Sequence, residues 1–270
     1  MEKIKELAQL IQNAKNITIF TGAGMSTESG IPDFRSKNGI YSQEENVEHY
    51  LSEYYFHKNP KDFWAKFKRI FSLKLMGNFE PNKGHLFLKE LEDMGKNVTI
   101  LTQNIDGLHH KAGNSNIIEL HGTLQTATCP KCKTKYDLTF INAHDLPRCH
   151  KTNKKGEICN FILKPDVVLF GGMVQRFDEA LNKAFNSDLF IAMGTSLEVS
   201  PVNQIPVYLS YEAPKVKKAI INKTPTKMDH LFDLVIHEGI GATVTKINQY
   251  FHKKSKQAVD SSFLILPLPL

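Results

Sequence analysis

The 270-residue sequence is 41% hydrophobic and carries a modest, dispersed formal charge of +6, enough apolar content for one large core or one core plus a smaller module. Its four cysteines are too few for a disulfide framework, and no charged-then-apolar leader precedes the first helical pattern. No window nears the roughly 20 apolar residues that cross a bilayer, so a cytoplasmic protein without a membrane or specific nucleic-acid partner is expected.

In chain order, Ile4, Leu7, Ile11 and Ala14 recur at helical spacing, which predicts an amphipathic helix over residues 2–15. Ile17, Ile19 and Phe20 then read as a buried strand that breaks at Gly22 and Gly24. Such glycines let the backbone bend sharply toward a pyrophosphate, with the amides of a following helix facing the phosphates. A dinucleotide fingerprint wants a third glycine where Thr27 stands, so the pair alone does not specify a ligand. Ser29-Gly30-Ile31-Pro32 then breaks the helix and delivers Asp33, Phe34 and Arg35 on a loop.

From Tyr41 to Leu75, residues such as Tyr50, Tyr54, Tyr55, Phe56, Phe63, Trp64, Phe67 and Phe71 predict a helical insertion whose aromatic side packs inward, with Pro60 starting or breaking a helix. A second amphipathic helix is predicted from Asn82 to Met94, stopped by Gly95. Short aliphatic runs follow at 98–101, 117–120, 167–170, 189–193, 219–221 and 234–236. Continuous apolar strands are those buried on both faces. Together with 17–20 they predict an α/β fold, a Rossmann-type parallel sheet with helices on both faces. Ligands bind beyond the carboxyl ends of such strands, which points to residues 103–106, His121, 194–196 and Asn222.

All four cysteines fall in one window: Cys129-x2-Cys132, then Cys149-x9-Cys159. Four thiolates suit one tetrahedral Zn²⁺ with no open position, hence a structural site. The second pair is wider than usual, and His150 is an alternative ligand; unmetallated thiols are the other alternative. Between Thr123 and Lys164 eight Lys/Arg face three acids, read as a solvated basic face.

The run from Gly22 to Arg35 matches GAG-x-S-x-x-SGIPDFR, Thr102 to His109 matches TQNID-x-LH with Ala112-Gly113 continuing it, and His121-Gly122 matches a catalytic His-Gly pair. In these motifs, in order, the chain resembles the sirtuin family of NAD-dependent protein deacylases, from its first helix to its last strand. The resemblance implies NAD contacts at Gly22, Ala23, Gly24, Thr27, Asp33, Phe34, Arg35, Gln103, Asn104, Ile105, Asp106, His121, Gly194, Thr195, Ser196, Asn222 and Ile240. Gln103 is then the ribose contact, while Asn104, Ile105 and Asp106 form the nicotinamide pocket.

By the same resemblance His121 is the catalytic base, and His109 a structural hydrogen-bonding residue. A substrate peptide adds as a strand between Val168, Phe170 and Gly171 on one side and Ser196, Leu197, Glu198 and Val199 on the other. Gly172 departs from the family, which usually has an acid there; that bears on peptide docking. Desuccinylating members carry Tyr-x-x-Arg in the insertion, where the nearest match here is Tyr55-x-x-Lys58, so neutral acyl groups are expected.

The expected activity is therefore NAD-dependent protein-lysine deacetylation, moving the acyl group to ADP-ribose with release of nicotinamide, on an acylated-lysine protein or peptide. Alternatives are a dehydrogenase, a mono-ADP-ribosyltransferase on the same scaffold, and a non-catalytic zinc-ribbon protein that binds NAD metabolites. The expected domains are a discontinuous Rossmann-type unit (1–36, 81–122 and 165–257), a small helical and zinc-binding unit (37–80 and 123–164), and an unstructured apolar tail (258–270).

Overall fold

A strand whose residues are buried on both faces must lie inside a sheet, and Asn16–Thr21 is buried from Ile17 onward. The computed structural model describes residues 2–34, 39–43, 46–71 and 79–262; Arg35, Leu75 and the apolar end from 263 to 270 lie outside them. Nine strands are found among the described residues: β1 (Asn16–Thr21), β2 (Asn97–Thr102), β3 (Ile117–Glu119), β4 (Gly122–Thr128), β5 (Lys135–Asp137), β6 (Lys164–Val167), β7 (Leu189–Met193), β8 (Lys217–Ile221) and β9 (Leu234–Ile236). Six form one parallel sheet in the order β3-β2-β1-β7-β8-β9. That is the doubly wound dinucleotide-binding order, with β1 at the centre.

The two-residue alternation of a strand sends Ile17 and Ile19 to one face and Phe20 to the other. On the first face the helices Glu2–Asn13, Lys83–Asp93 and Ile240–Ser262 bury Leu7, Ile11, Leu88, Leu91 and Ile247 against Ile19, Ile100 and Ile191. On the second, Phe177–Phe185 and Ile205–Glu212 bury Ala180, Ala184 and Leu209 against Phe20, Leu101, Phe190 and Ile220. The last helix continues through 258–262, so those five residues are not unstructured tail.

A third core lies apart from the large sheet. The aromatic insertion folds into short helices, and Pro60 occupies the first turn of Pro60–Ile70, where its missing N–H costs nothing. Phe63, Trp64, Phe67 and Phe71 bury against Leu124, Ala127, Leu163, Val167 and the zinc-window residues Cys129 and Cys149. Trp64 Nε1 donates to Leu163 O at 2.9 Å, which ties the insertion to the cysteine segment.

Two further expectations fail. Residues 167–170 are not part of the parallel sheet: β6 pairs antiparallel with β4 in a separate three-stranded sheet, β5-β4-β6. Beyond β6, Phe170 bridges Ser52. An apolar run of four residues does not say which sheet owns it. Its partner β4 is half polar and carries no strand signal of its own. The glycine turn, second, opens no α-helix; two 3₁₀ turns, Ala23–Met25 and Thr27–Ser29, follow it.

Candidate active site

Because the six strands are parallel and adjacent, the residues after β3, β2, β1, β7 and β8 line one edge of the sheet. The connection order reverses between β1 and β7, the place where sheets of this kind take their ligands. Gly22 N donates to Met193 O at 3.3 Å and Gly24 N to Gly194 O at 2.8 Å, so the turns leaving these two strands are stitched backbone to backbone. A Cβ on Gly24 would lie 2.8 Å from Gly194 O, and one on Gly194, at φ +62°, would lie 2.3 Å from Met25 N. Glycine is needed here for the two turns to touch. The phosphate-facing helix amides expected from the sequence are spent: Met25 N and Ser26 N donate to Gly22 O and Ala23 O. The amide of Ala23 takes no partner among the described residues.

After β2 the amide and carboxyl groups converge on the same turn. Asn104, 7% exposed, donates from Nδ2 to Gly22 O at 3.0 Å and to Ser26 Oγ at 3.2 Å. Ser26 Oγ in turn donates to Asp106 Oδ2 at 2.7 Å, and the other Asp106 oxygen accepts the Leu108 amide at 2.9 Å. Ser26 was not singled out in the sequence although it lies inside the first motif; a small hydroxyl between two glycine-rich turns was the available signal. Gln103 Nε2 donates to Thr195 Oγ1 at 3.0 Å, joining the β2 and β7 ends across β1.

His121 follows β3 and sits beside Gln103. Its Nδ1 is 3.1 Å from Gln103 O. A carbonyl only accepts, so Nδ1 carries the proton and Nε2 keeps a lone pair. Burial pushes the His121 pKa below the ordinary histidine value, partly offset by that hydrogen bond. The ring is thus neutral at pH 7, with a free basic nitrogen on the strand-end edge.

Other nominated residues are placed less openly. Asn222 spends Nδ2 on Thr224 O at 2.7 Å, and Thr27 spends its hydroxyl on Gly24 O at 3.0 Å. Ile240 is buried in the first core behind the Gly194 turn, and Ile105 in the third core, against which Phe34 also packs. Asp33 accepts the Ile40 amide through its carbonyl. Val168 N and Phe170 N already donate to His121 O and Leu51 O, Leu169 O accepts the Gly172 amide at 2.8 Å, and Gly171 turns the chain at φ +84°. Leu197 is buried and its amide bonds Thr195 Oγ1 at 3.2 Å, while Ser196 Oγ reaches Glu198 Oε2 at 3.5 Å and Val199 packs on the second-face core.

The four cysteine sulfurs lie within 4.8 Å of one another. The pairs Cys129–Cys159 and Cys132–Cys149 are separated by 3.8 and 3.4 Å. A tetrahedron with Zn–S bonds of about 2.3 Å has edges of about 3.8 Å, so the donor set fits a structural zinc. The nine-residue spacer is a hairpin: Cys159 N donates to Lys151 O and Asn160 N to Cys149 O, which folds Cys159 back beside its partner. His150 packs its ring on Phe140 and His144 and is not in the cluster.

The model of the family described as Sir2 family matches residues 22–201, two thirds of the chain. The chain belongs to the Sir2 family. This sirtuin is 64% identical over 249 residues to an NAD-dependent protein deacetylase 2 of Geobacillus kaustophilus (strain HTA426), covering 92% of this chain and 98% of the relative. It is 49% identical over 241 residues to an NAD-dependent protein deacetylase of Bacillus subtilis (strain 168), covering 89% and 96%. Among solved structures, it superposes with a TM-score of 0.80 and 29% identity on a Sir2 variant holding deacetylated p53 peptide and 3′-O-acetyl-ADP-ribose, covering 92% and 98%. A Sir2 complex with p53 peptide and NAD⁺ gives a TM-score of 0.78 at 29% identity, covering 92% and 98%. No helix among the described residues is long and apolar enough to cross a membrane.

Proposed function

We propose that this sirtuin is an NAD-dependent protein-lysine deacetylase in which His121 is the general base. One observation carries the residue assignment: the hydrogen bond from His121 Nδ1 to Gln103 O, which leaves Nε2 unprotonated at the strand ends that also bear the glycine turn. NAD supplies a nicotinamide leaving group and the ribose that receives the acetyl group. Around it, Gln103 and Thr195 orient the ribose hydroxyls, and Asn104, Ile105 and Asp106 receive the carboxamide. The turns of Gly22, Ala23, Gly24, Gly194 and Ser196 bound the phosphates and sugars; Thr27, Asp33, Arg35, Asn222 and Ile240 complete the cofactor set.

His121 Nε2 takes the proton of a ribose hydroxyl, which makes that oxygen a nucleophile toward the acyl carbon. Phe34 covers the reacting face and excludes water. The acylated peptide lies along Val168, Phe170 and Gly171 and meets Ser196 to Val199 on its other side. Cys129, Cys132, Cys149 and Cys159 hold zinc and brace the small lobe, built from 37–80 and 123–164, against the nucleotide-binding lobe. The setting is cytoplasmic. Mass spectrometry of an acetyl-lysine peptide incubated with NAD tests this. The wild type yields deacetylated peptide, nicotinamide and O-acetyl-ADP-ribose, and His121→Tyr yields none; NADH absorbance, or a fully active His121→Tyr, refutes it.

A further inference from the structure

Two buried side-chain atoms lack a hydrogen-bond partner among the described residues, Nε2 of His85 and Nδ1 of His109. They belong to neighbouring rings with centroids 4.8 Å apart, in residues 0% and 2% exposed. Burial keeps both rings neutral at physiological pH, pushing their pKa values down to about 4 and about 3.

The surrounding bonds decide which atom gives and which receives. The Asn82 amide donates to His85 Nδ1 at 3.3 Å, so the neutral His85 ring carries its proton on Nε2. On the other ring, His109 Nε2 is 3.1 Å from Thr21 Oγ1. The Thr21 hydroxyl donates to Thr102 Oγ1 at 2.8 Å and so offers His109 a lone pair; His109 Nε2 is the donor and its Nδ1 the acceptor, with the Asn114 side chain lying against the same residue. One unpaired donor thus stands beside one unpaired acceptor. A buried polar atom left unpaired is costly, and a donor and an acceptor on adjacent rings are complementary.

The hydrogen bonds on either side of the two rings lead to the glycine turn. At one end Asn82 Nδ2 donates to Met25 O at 2.8 Å and Ser29 Oγ at 3.0 Å. At the other, Thr102 Oγ1 accepts the Asn104 amide at 3.0 Å, and the Asn104 side chain holds Gly22 O and Ser26 Oγ. We propose that His85 and His109 are a coupled pair of positioning residues, His85 Nε2–H directed at His109 Nδ1, that links the hydrogen bonds from Asn82 to those that meet at Thr102 Oγ1 and sets the geometry of the nicotinamide pocket. Neither ring touches the reacting atoms. The inference rests on the reading that Asn104 and Asp106 receive nicotinamide.

The test measures KM for NAD and for acetyl-lysine peptide in zinc-loaded full-length protein. His85→Leu and His109→Leu each raise KM for NAD about five- to tenfold, with the peptide KM within about twofold. The double variant is no worse than either single one, because one linkage is lost only once. His85→Gln, whose amide keeps a donor near the Nε2 position, recovers most of the loss. Additive effects, a Gln variant no better than Leu, or equal shifts in both KM values overturn the proposal. Should the leucine variants fold poorly, ¹⁵N imidazole spectra of the wild type at pH 7 decide. Two neutral Nε2–H rings, with His109 Nδ1 displaced from a free acceptor's position, support it; an Nδ1–H form on either ring overturns it. Asn104→Ala separates the two readings: unchanged NAD affinity there removes the pocket assignment, whereas weakened affinity with normal histidine variants removes only the pair.

Discussion

Gly194→Ala tests whether the contact between the two turns organises the site. At φ +62° an added Cβ would lie 2.3 Å from Met25 N and 2.5 Å from Gly24 C, where ordinary contact begins near 3.4 Å. The turns must therefore part by about an ångström, because both opposing atoms are backbone and no side chain can yield. Left-handed strain adds about 1–2 kcal/mol and the forced separation about 1–3 kcal/mol, about 2–5 kcal/mol together. For a chain of this size that lowers Tm by about 5–15 °C. Gly95 supplies the control, since it has φ +81° but nothing within 4 Å of an added Cβ. Gly95→Ala isolates the dihedral cost, about 1–2 kcal/mol and a few degrees. Thermal melts with and without NAD read both quantities, and only Gly194→Ala loses the NAD-dependent increase in Tm. If the two variants melt within about 2 °C of each other and both keep that increase, the contact does not organise the site.

Deacetylation requires neutral His121, so the rate falls as pH drops through its pKa; burial lowers that pKa, which places the acidic midpoint below the ordinary 6.5. A midpoint above 6.5 in the kcat/KM profile contradicts this. His85 and His109 have depressed folded pKa values, so their contribution to stability is full above 6.5 and is lost as pH falls toward about 4 and about 3. Melting temperature then drops steeply from pH 6.5 to 4, less so in His85→Gln; a flat profile refutes the burial argument. Elemental analysis yields one zinc per chain, and Cys149→Ser loses both the metal and the melting transition of the small lobe; wild-type zinc content in that variant refutes the four-thiolate site. Tyr55 donates its hydroxyl to Asp62, and Lys58 Nζ lies 5.7 Å from the centre of the Tyr54 ring, so neither is held ready for an acyl carboxylate. Acetyl-lysine peptide turns over faster than succinyl-lysine peptide at equal concentration, and the reverse order removes the argument.

Much of the site was legible because its chemistry is local. The glycine turn, the Gln103–Asp106 segment and His121 each follow a short apolar strand, and in a parallel sheet such residues end on one edge. The helices Phe177–Phe185, Ile205–Glu212 and Ile240–Ser262 were not read. Ile205–Glu212 shows why: its residues are almost wholly apolar or aromatic, so no polar face marks a period, yet Tyr208 and Tyr211 are exposed. The run at 167–170 was assigned to the wrong sheet for the related reason that four aliphatic residues have no address until a partner strand is known.

Sequence by itself determined the residue types and their order: four thiols in one window, a glycine pair after a buried strand, and an imidazole after another. Those are covalent facts, and the chemistry available to them follows directly. Tertiary structure decided who meets whom. Gly194 touches Gly24 across 170 residues, Ser26 links Asn104 to Asp106, and the buried rings of His85 and His109 pack against each other. Hydrogen bonds and backbone contacts act over about 3 Å, a distance that spacing along a chain does not encode once the intervening segments have folded away.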